Sequence, residues 1–356
     1  MPKREGKGAQ PKQRPLEVVA AEYDAHFERQ FGGRWPALRS ALLSPVEHAC
    51  LLNKYCTESA APSLGDAEKV PLTLPCYRRR GQGFPPAQAD ATGLLAFHLL
   101  DAASLLAVEA LGVTPGDNVL DVCAAPGGKA VAILQLLDLS HGQLSCNDSS
   151  ANRCNRLRRV LGQTLPREHS FAVKVTQHDA TVQSSFARLF NAILVDAPCS
   201  SDRYVLQNVD ELLRWTHQTP AKNAHIQFKL LCSALQAARS PSVVVYTTSA
   251  LDSCENDGVV AAVLKRFPER VRVRPTTQQP FGEPTPLGGW ICLPDTADGW
   301  GPCYLCTLEV FDGHPGEQGG EADGESSEED TSDSEGEHDR PRGHLSSILK
   351  SHKRGN

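Results

Sequence analysis

One stretch, Pro115 to Lys129, constrains this chain more than any other: it reads PGDNVLDVCAAPGGK. Val119, Leu120 and Val122 form the short apolar run of a buried strand. Ala124, Ala125, Pro126, Gly127, Gly128 and Lys129 then turn the chain, and AVAILQLL follows with the pattern of a helix. Strand, glycine turn and helix in that order open a nucleotide-binding α/β sheet. The glycines let the backbone approach a ligand, and the helix start presents free amides to it. The spacing is neither GxGxxG nor GxxxxGK[ST], so the dinucleotide and phosphate-loop readings are weak. A tight turn in an ordinary α/β domain satisfies the same letters.

Further strands follow in order. GQLSCNDSS ends a second one at Asn147-Asp148, with ANRCNRLRRVLGQ as the next helix. An acid at the end of strand two can take both ribose hydroxyls of a nucleoside. FAVKVTQHDA supplies a third strand ending at Asp179, and either acid can instead cap its loop. Ala192 to Val195 is the fourth strand, ending at Asp196. A helix over Asn223 to Ala238 is interrupted upstream by Pro220, and SVVVYTTSALD is the fifth strand. Upstream, AFHLLDAASLLAVEALGV reads as one periodic helix. Residues 56–90 read as irregular, and AAEYDAHFERQFGGRWPALRSALL as two helices parted at Gly32-Gly33. The sum is an α/β chain with a doubly wound, mostly parallel sheet and an N-terminal helical extension.

The net charge of −6 is carried by one segment. Twelve acids and no lysine or arginine lie between Asp312 and Asp339, which leaves the body through Phe311 nearly neutral. That segment is low in complexity and cannot form a core. Ser326, Ser327, Thr331, Ser332 and Ser334 stand there as candidate phosphorylation sites. The basic residues Lys3, Arg4, Lys7, Lys12 and Arg14 suit either a targeting presequence or a solubilising tail. The expected division is a disordered tail over 1–18, a helical and irregular region over 19–95, an α/β domain over 96–311 and an acidic tail over 312–356. The 12 cysteines are scattered, with no secretory signal or membrane-spanning run, which suits a reducing compartment and no membrane partner. Cys303-x-x-Cys306 reads as core strand rather than zinc site, so no metal is expected. Arg78, Arg79 and Arg80 beside Tyr77 suit phosphate and base contacts, with a solvated basic loop as the alternative.

CAAPGGK, with Asp196-Ala197-Pro198-Cys199 downstream, resembles the Sun family of RNA cytosine-C5 methyltransferases, especially its two mitochondrial members. FGGRWPALRSALLSP, Asp101-Ala102-Ala103-Ser104, Asp202-Arg203 and the closing GGWICLPDTADGWGPCYLCTLEV with Gly301-Pro302 extend the likeness from about Phe27 to Val310. The resemblance implies a Rossmann-like fold that takes S-adenosylmethionine. Cys123 through Lys129, Asp148, Arg153, Asp179 and Asp196 would hold it, Asp148 at the ribose and Asp179 at the adenine amino group. Lys129 would meet the cofactor carboxylate or a neighbouring loop. Arg203 would fix a phosphate, orient the catalytic loop or form a plain salt bridge. The substrate implied is structured ribosomal or transfer RNA. A helical transcription-termination-factor-like protein is an implied partner, with a monomeric or heterodimeric state. The implied compartment is the mitochondrial matrix, with nucleus and cytosol open.

Methylating C5 of cytosine requires a thiolate to add at C6, which makes C5 nucleophilic. In the family the Pro-Cys cysteine, here Cys199, releases the product, and a second cysteine at the end of strand five attacks. Here that segment is Tyr246-Thr247-Thr248-Ser249-Ala250-Leu251, and Ser249 stands where the attacking thiol belongs. A serine hydroxyl is a far poorer nucleophile, and no His-Asp relay is evident beside it. Three expectations follow: Cys199 attacks, with Asp196 positioning the cytosine; Cys254 swings in; or the fold binds RNA or protein with little turnover. Cys123 and Cys146 read as small apolar residues outside catalysis.

Overall fold

The parallel part of the sheet is built from runs apolar enough to be covered on both faces. The structure, a computed structural model, describes residues 14–57, 64–81, 83–182, 186–187 and 189–312. These lie in one compact unit ending at Pro315. The acidic segment beyond Asp312 and the first 13 residues, with the phosphorylation and presequence readings attached to them, fall outside the described residues.

The chain opens with α1 (Leu16–Phe31), a 3-10 turn over Gly32–Arg34 and α2 (Trp35–Leu43). α1 begins inside the tail expected to be disordered through residue 18. Tyr23, Phe27 and Trp35 are buried with Trp215 in an aromatic cluster of their own. Next come β1 (Ala49–Leu52), β2 (Glu68–Lys69), β3 (Cys76–Arg78) and β4 (Phe97–Leu100), an antiparallel sheet in the order β2-β3-β1-β4. The region read as irregular therefore contains ordered pairing. β4 also corrects the single helix expected over AFHLLDAASLLAVEALGV, because Phe97–Leu100 pairs with β1 and α3 (Ala103–Leu111) begins only after Asp101. A strand partner overrides helical periodicity there, and Asp101 Oδ1 accepts the Ala103 amide at 2.8 Å.

The main sheet uses β5 (Asn118–Asp121), β6 (Gln143–Asn147), β7 (Val173–Thr176), β8 (Phe190–Asp196) and β9 (Ala238–Thr248), all parallel, in the order β9-β8-β5-β6-β7. Between them run α4 (Gly128–Leu136), α5 (Ala151–Gly162), α6 (Asp202–Gln207), α7 (Val209–Arg214) and α8 (Thr219–Ala237). Pro220 does not interrupt α8 but sits in its first turn, where no intrahelical donor is needed. After β9 come α9 (Asp257–Arg266), β10 (Val271–Arg274), β11 (Glu283–Pro284), β12 (Trp290–Cys292) and β13 (Cys303–Val310). β13 pairs antiparallel with β9, β10 and β12 and extends the sheet past its parallel part. Two apolar cores cover the sheet, one including α3 and α4 residues and the other α8 and α9 residues. Strand order reverses between β5 and β8, which opens a crevice at their carboxyl ends.

Candidate active site

The glycine loop and the Asp196-Ala197-Pro198-Cys199 loop leave adjacent strands, β5 and β8, on the two sides of that reversal. Lys129, in the first turn of α4, reaches across it, with Nζ 2.8 Å from Asp196 Oδ2. The contact is to the neighbouring loop, one of the two expectations for Lys129. Gly127 has φ +123°, and a Cβ there would lie 3.1 Å from Leu157 and 3.2 Å from Val160, so glycine is required by both conformation and space.

Asp121 ends β5 fully buried, and neither carboxylate oxygen has a hydrogen-bond partner among the described residues. Burial, reinforced by Asp196, pushes it up to about 8, so it is a neutral acid at pH 7. It was not singled out from sequence, although it stands inside the loop motif. Asp148, just past β6, is buried, accepts the Ser150 amide at 3.0 Å and lies 3.2 Å from Arg153 Nε. Arg153 also donates to the Ala125 carbonyl and so ties α5 to the glycine loop. Burial holds the Cys123 thiol protonated. These features suit a nucleoside cofactor: a cradle that a Cβ would fill, an orphaned acid at its floor and a second acid at the next strand end.

Asp179 does not end a strand. β7 stops at Thr176, and Asp179 lies in the following loop, where Oδ1 accepts the Thr181 amide at 2.9 Å and hydroxyl at 2.7 Å.

Cys199 and Ser249 are brought together. The Ser249 amide, just past β9, donates to Cys199 Sγ at 3.2 Å, and Ser201 Oγ lies 3.6 Å from the same sulfur. Burial nevertheless pushes the thiol up to about 12. Among the described residues no histidine or carboxylate hydrogen-bonds the Ser249 hydroxyl. Cys254 lies in the turn before α9, and burial together with Asp252 disfavours its thiolate strongly.

Buried acids hold these loops: Glu255, which carries no sequence signal, and Asp202, quoted above only as part of the family likeness. Glu255 accepts the Ser200 amide at 3.0 Å, the Ser200 hydroxyl and Gln227 Nε2 at 2.7 Å. Asp202 accepts Tyr23 OH at 2.7 Å and the Leu251 amide at 2.7 Å, so α1 clasps the chain beyond Ser249. His26 adds a 2.6 Å contact to Asp252.

Arg203 forms no salt bridge among the described residues. Its buried guanidinium donates to the carbonyls of Gly299 at 2.6 Å, Gly301 at 2.7 Å and Ser44 at 3.1 Å. Arg78, Arg79 and Arg80 each face acids, Arg78 and Arg80 sharing Glu68 and Asp298, and Arg79 standing 3.5 Å from Asp66. Cys303 and Cys306 are buried in β13.

Residues 108–287 match the family model described as 16S rRNA methyltransferase RsmB/F. The chain belongs to the RsmB/F family. A zebrafish (Danio rerio) relative named mitochondrial tRNA (cytosine(34)-C(5))-methyltransferase is 32% identical over 335 residues, covering 85% of this chain and 89% of its own. The bovine (Bos taurus) 5-cytosine rRNA methyltransferase NSUN4 is 29% identical, covering 86% and 92%. In fold, this RsmB/F chain is similar to NSun6 from Pyrococcus horikoshii, a structure determined with SFG, at a TM-score of 0.64 and 17% identity over 85% of this chain and 98% of that one. A methyltransferase homologue from the same organism gives a TM-score of 0.65 at 21% identity, covering 83% and 97%. The fold is thus the Rossmann-like one of S-adenosylmethionine-dependent methyltransferases, with an N-terminal helical extension, and S-adenosylmethionine is the RsmB/F cofactor.

Proposed function

We propose that this chain transfers a methyl group to C5 of a cytosine in structured ribosomal or transfer RNA, with Cys199 as its working thiol. The observation that carries this is the 3.2 Å contact between Cys199 Sγ and the Ser249 amide. The two positions that the family mechanism assigns to separate cysteines converge on one sulfur. With serine at one of them, the remaining thiol, Cys199, would make the attack.

The bound cofactor would supply an electrophilic methyl. Gly127, Gly128, Asp148 and Asp121 would line its site, and Arg153 would brace the loop. Asp196, paired with Lys129 at 2.8 Å, would receive the cytosine amino group and hold the ring edge. Cys199 Sγ, its proton passed to solvent, would bond to C6 and the ring electrons would move to C5. C5 would take the methyl, which leaves the cofactor as a neutral thioether, and solvent would take the C5 proton as the C6–S bond breaks to return the thiolate. The mitochondrial setting belongs to the same reading and is supported by the zebrafish relative's name.

A second reading is favoured by the protonated state of Cys199 and the lack of a base at Ser249: a scaffold that binds cofactor and RNA without turnover. Transfer of labelled methyl from S-adenosylmethionine to total structured RNA separates them. Incorporation that disappears in Cys199→Ala supports the enzyme. Incorporation only in Ser249→Cys supports the scaffold and removes the altered enzyme.

A further inference from the structure

A second polar and aromatic surface lies at the other end of the parallel strands. β7 is the edge strand, four steps and about 19 Å from β9 at the usual strand spacing. Beside it run two hollows of 410 and 710 Å³, both lined by Gly162, Leu165 and Arg167, so they form one groove. Arg158 of α5 lines the smaller hollow with Val173 and Val175. Neither Arg158 nor Arg167 faces a carboxylate at ion-pair distance among the described residues, unlike Arg78, Arg79 and Arg80. Glu168 is the acid on the wall of the larger hollow.

Tyr55 lines the larger hollow, and two more rings run on from it outside the wall, next to the lining residues Glu168 and Ser170. Tyr55 and His169 have centroids 6.3 Å apart, and His169 and Phe171 6.4 Å. The rings are tilted by 46° and 52°, but Phe171 is 72% exposed and packs too little to be fixed. An exposed ring offers a face on which a base can stack, and arginines with no carboxylate at ion-pair distance among the described residues suit its phosphates, Arg158 donating only to Asn155 Oδ1 at 3.2 Å.

We propose that this groove holds a single-stranded segment of the RNA substrate, remote from the methylated cytosine, with phosphates at Arg158 and Arg167 and a base on Phe171. The proposal rests on the RNA-methyltransferase reading for its ligand. It differs from the expected triple-arginine contact by using cations that no acid neutralises.

The test uses the full chain and fluorescein-labelled oligouridine of about 12 nucleotides, a length in the range of one single-strand site. Anisotropy should show Arg158→Ala/Arg167→Ala weakening binding about tenfold at 0.1 M salt and lowering the salt slope by about 1.4. Phe171→Ala should weaken binding about 5- to 100-fold. S-adenosylmethionine affinity, measured by calorimetry on the same samples, should not move, which certifies the fold. Unchanged or absent oligouridine binding overturns the groove. Methyl transfer to total cellular RNA with an unchanged KM in these variants also overturns it and leaves the enzyme standing. Groove-dependent binding by a chain that transfers no methyl leaves the groove standing and removes the enzymatic reading.

Discussion

The backbone amide of Ser249 donates to the sulfur of Cys199 across 3.2 Å, joining the end of β9 to the loop that follows β8. A side chain at 249 therefore starts next to the one thiol of that loop. Glu255 fixes the loop from below through Ser200, and Asp202 fixes the other side through Leu251. The geometry around the sulfur is held by buried acids rather than by ligand.

Cys199 is pushed up to about 12 by burial, so its thiolate fraction grows about tenfold per pH unit through the neutral range. Methyl transfer limited by attack of this sulfur should rise with a log slope near 1 from about pH 7 to 9. Single-turnover assays across that range test it. A flat profile excludes attack by a thiol in this state.

Asp121, Asp202 and Glu255 are raised by burial to about 8, about 6 and about 7. Each lies above its unfolded value near 4, so the folded state binds the extra proton. Their contribution to stability is complete below about pH 4 and is lost as pH rises through 6 to 8. The melting temperature of the cofactor-free chain should fall between pH 5 and 8, and Asp121→Asn should flatten the upper part of that fall. A midpoint that climbs over this window contradicts the assignment.

Gly127→Ala forces a side chain into φ +123° and against Leu157 and Val160. The strain is about 1–3 kcal/mol, which moves the loop rather than the core. S-adenosylmethionine binding should weaken about tenfold or more in calorimetry. Retained affinity would show that the loop does not touch the cofactor.

Tyr23→Phe removes the hydroxyl that donates to buried Asp202. Leaving that acceptor short of a donor costs about 1–3 kcal/mol. Urea denaturation should report the loss, and the freed segment beyond Ser249 should exchange amide protons faster. No change in either would mean that α1 does not brace the site.

The sheet was legible because its strands are apolar runs ending in acids and glycines. Asp148 and Asp196 were found that way, and both stand at strand ends. β4 was not legible, since Phe97–Leu100 continues the periodicity of the helix after it and only its pairing with β1 separates them. Asp179 was misplaced as a strand end because the strand residues Val173–Thr176 are followed by polar ones without a break signal. Glu255 carries no local mark at all. Its partners, Ser200 and Gln227, lie 55 and 28 residues upstream, so its role exists only in three dimensions. Arg203 stood open between phosphate contact, loop orientation and salt bridge, because its carbonyl partners Gly299 and Gly301 lie almost a hundred residues downstream and no local pattern marks them.

The guanidinium of Arg203 has a bearing on synthesis. All five parallel strands have been made by Thr248, yet the carbonyls of Gly299 and Gly301 that Arg203 grips come about fifty residues later. Gly301 and Pro302 also wall the hollow beside Ser249. A ribosome-bound chain thus carries its whole parallel sheet before the wall beside Ser249 exists, and the strut that Arg203 supplies can close only when the last strand arrives.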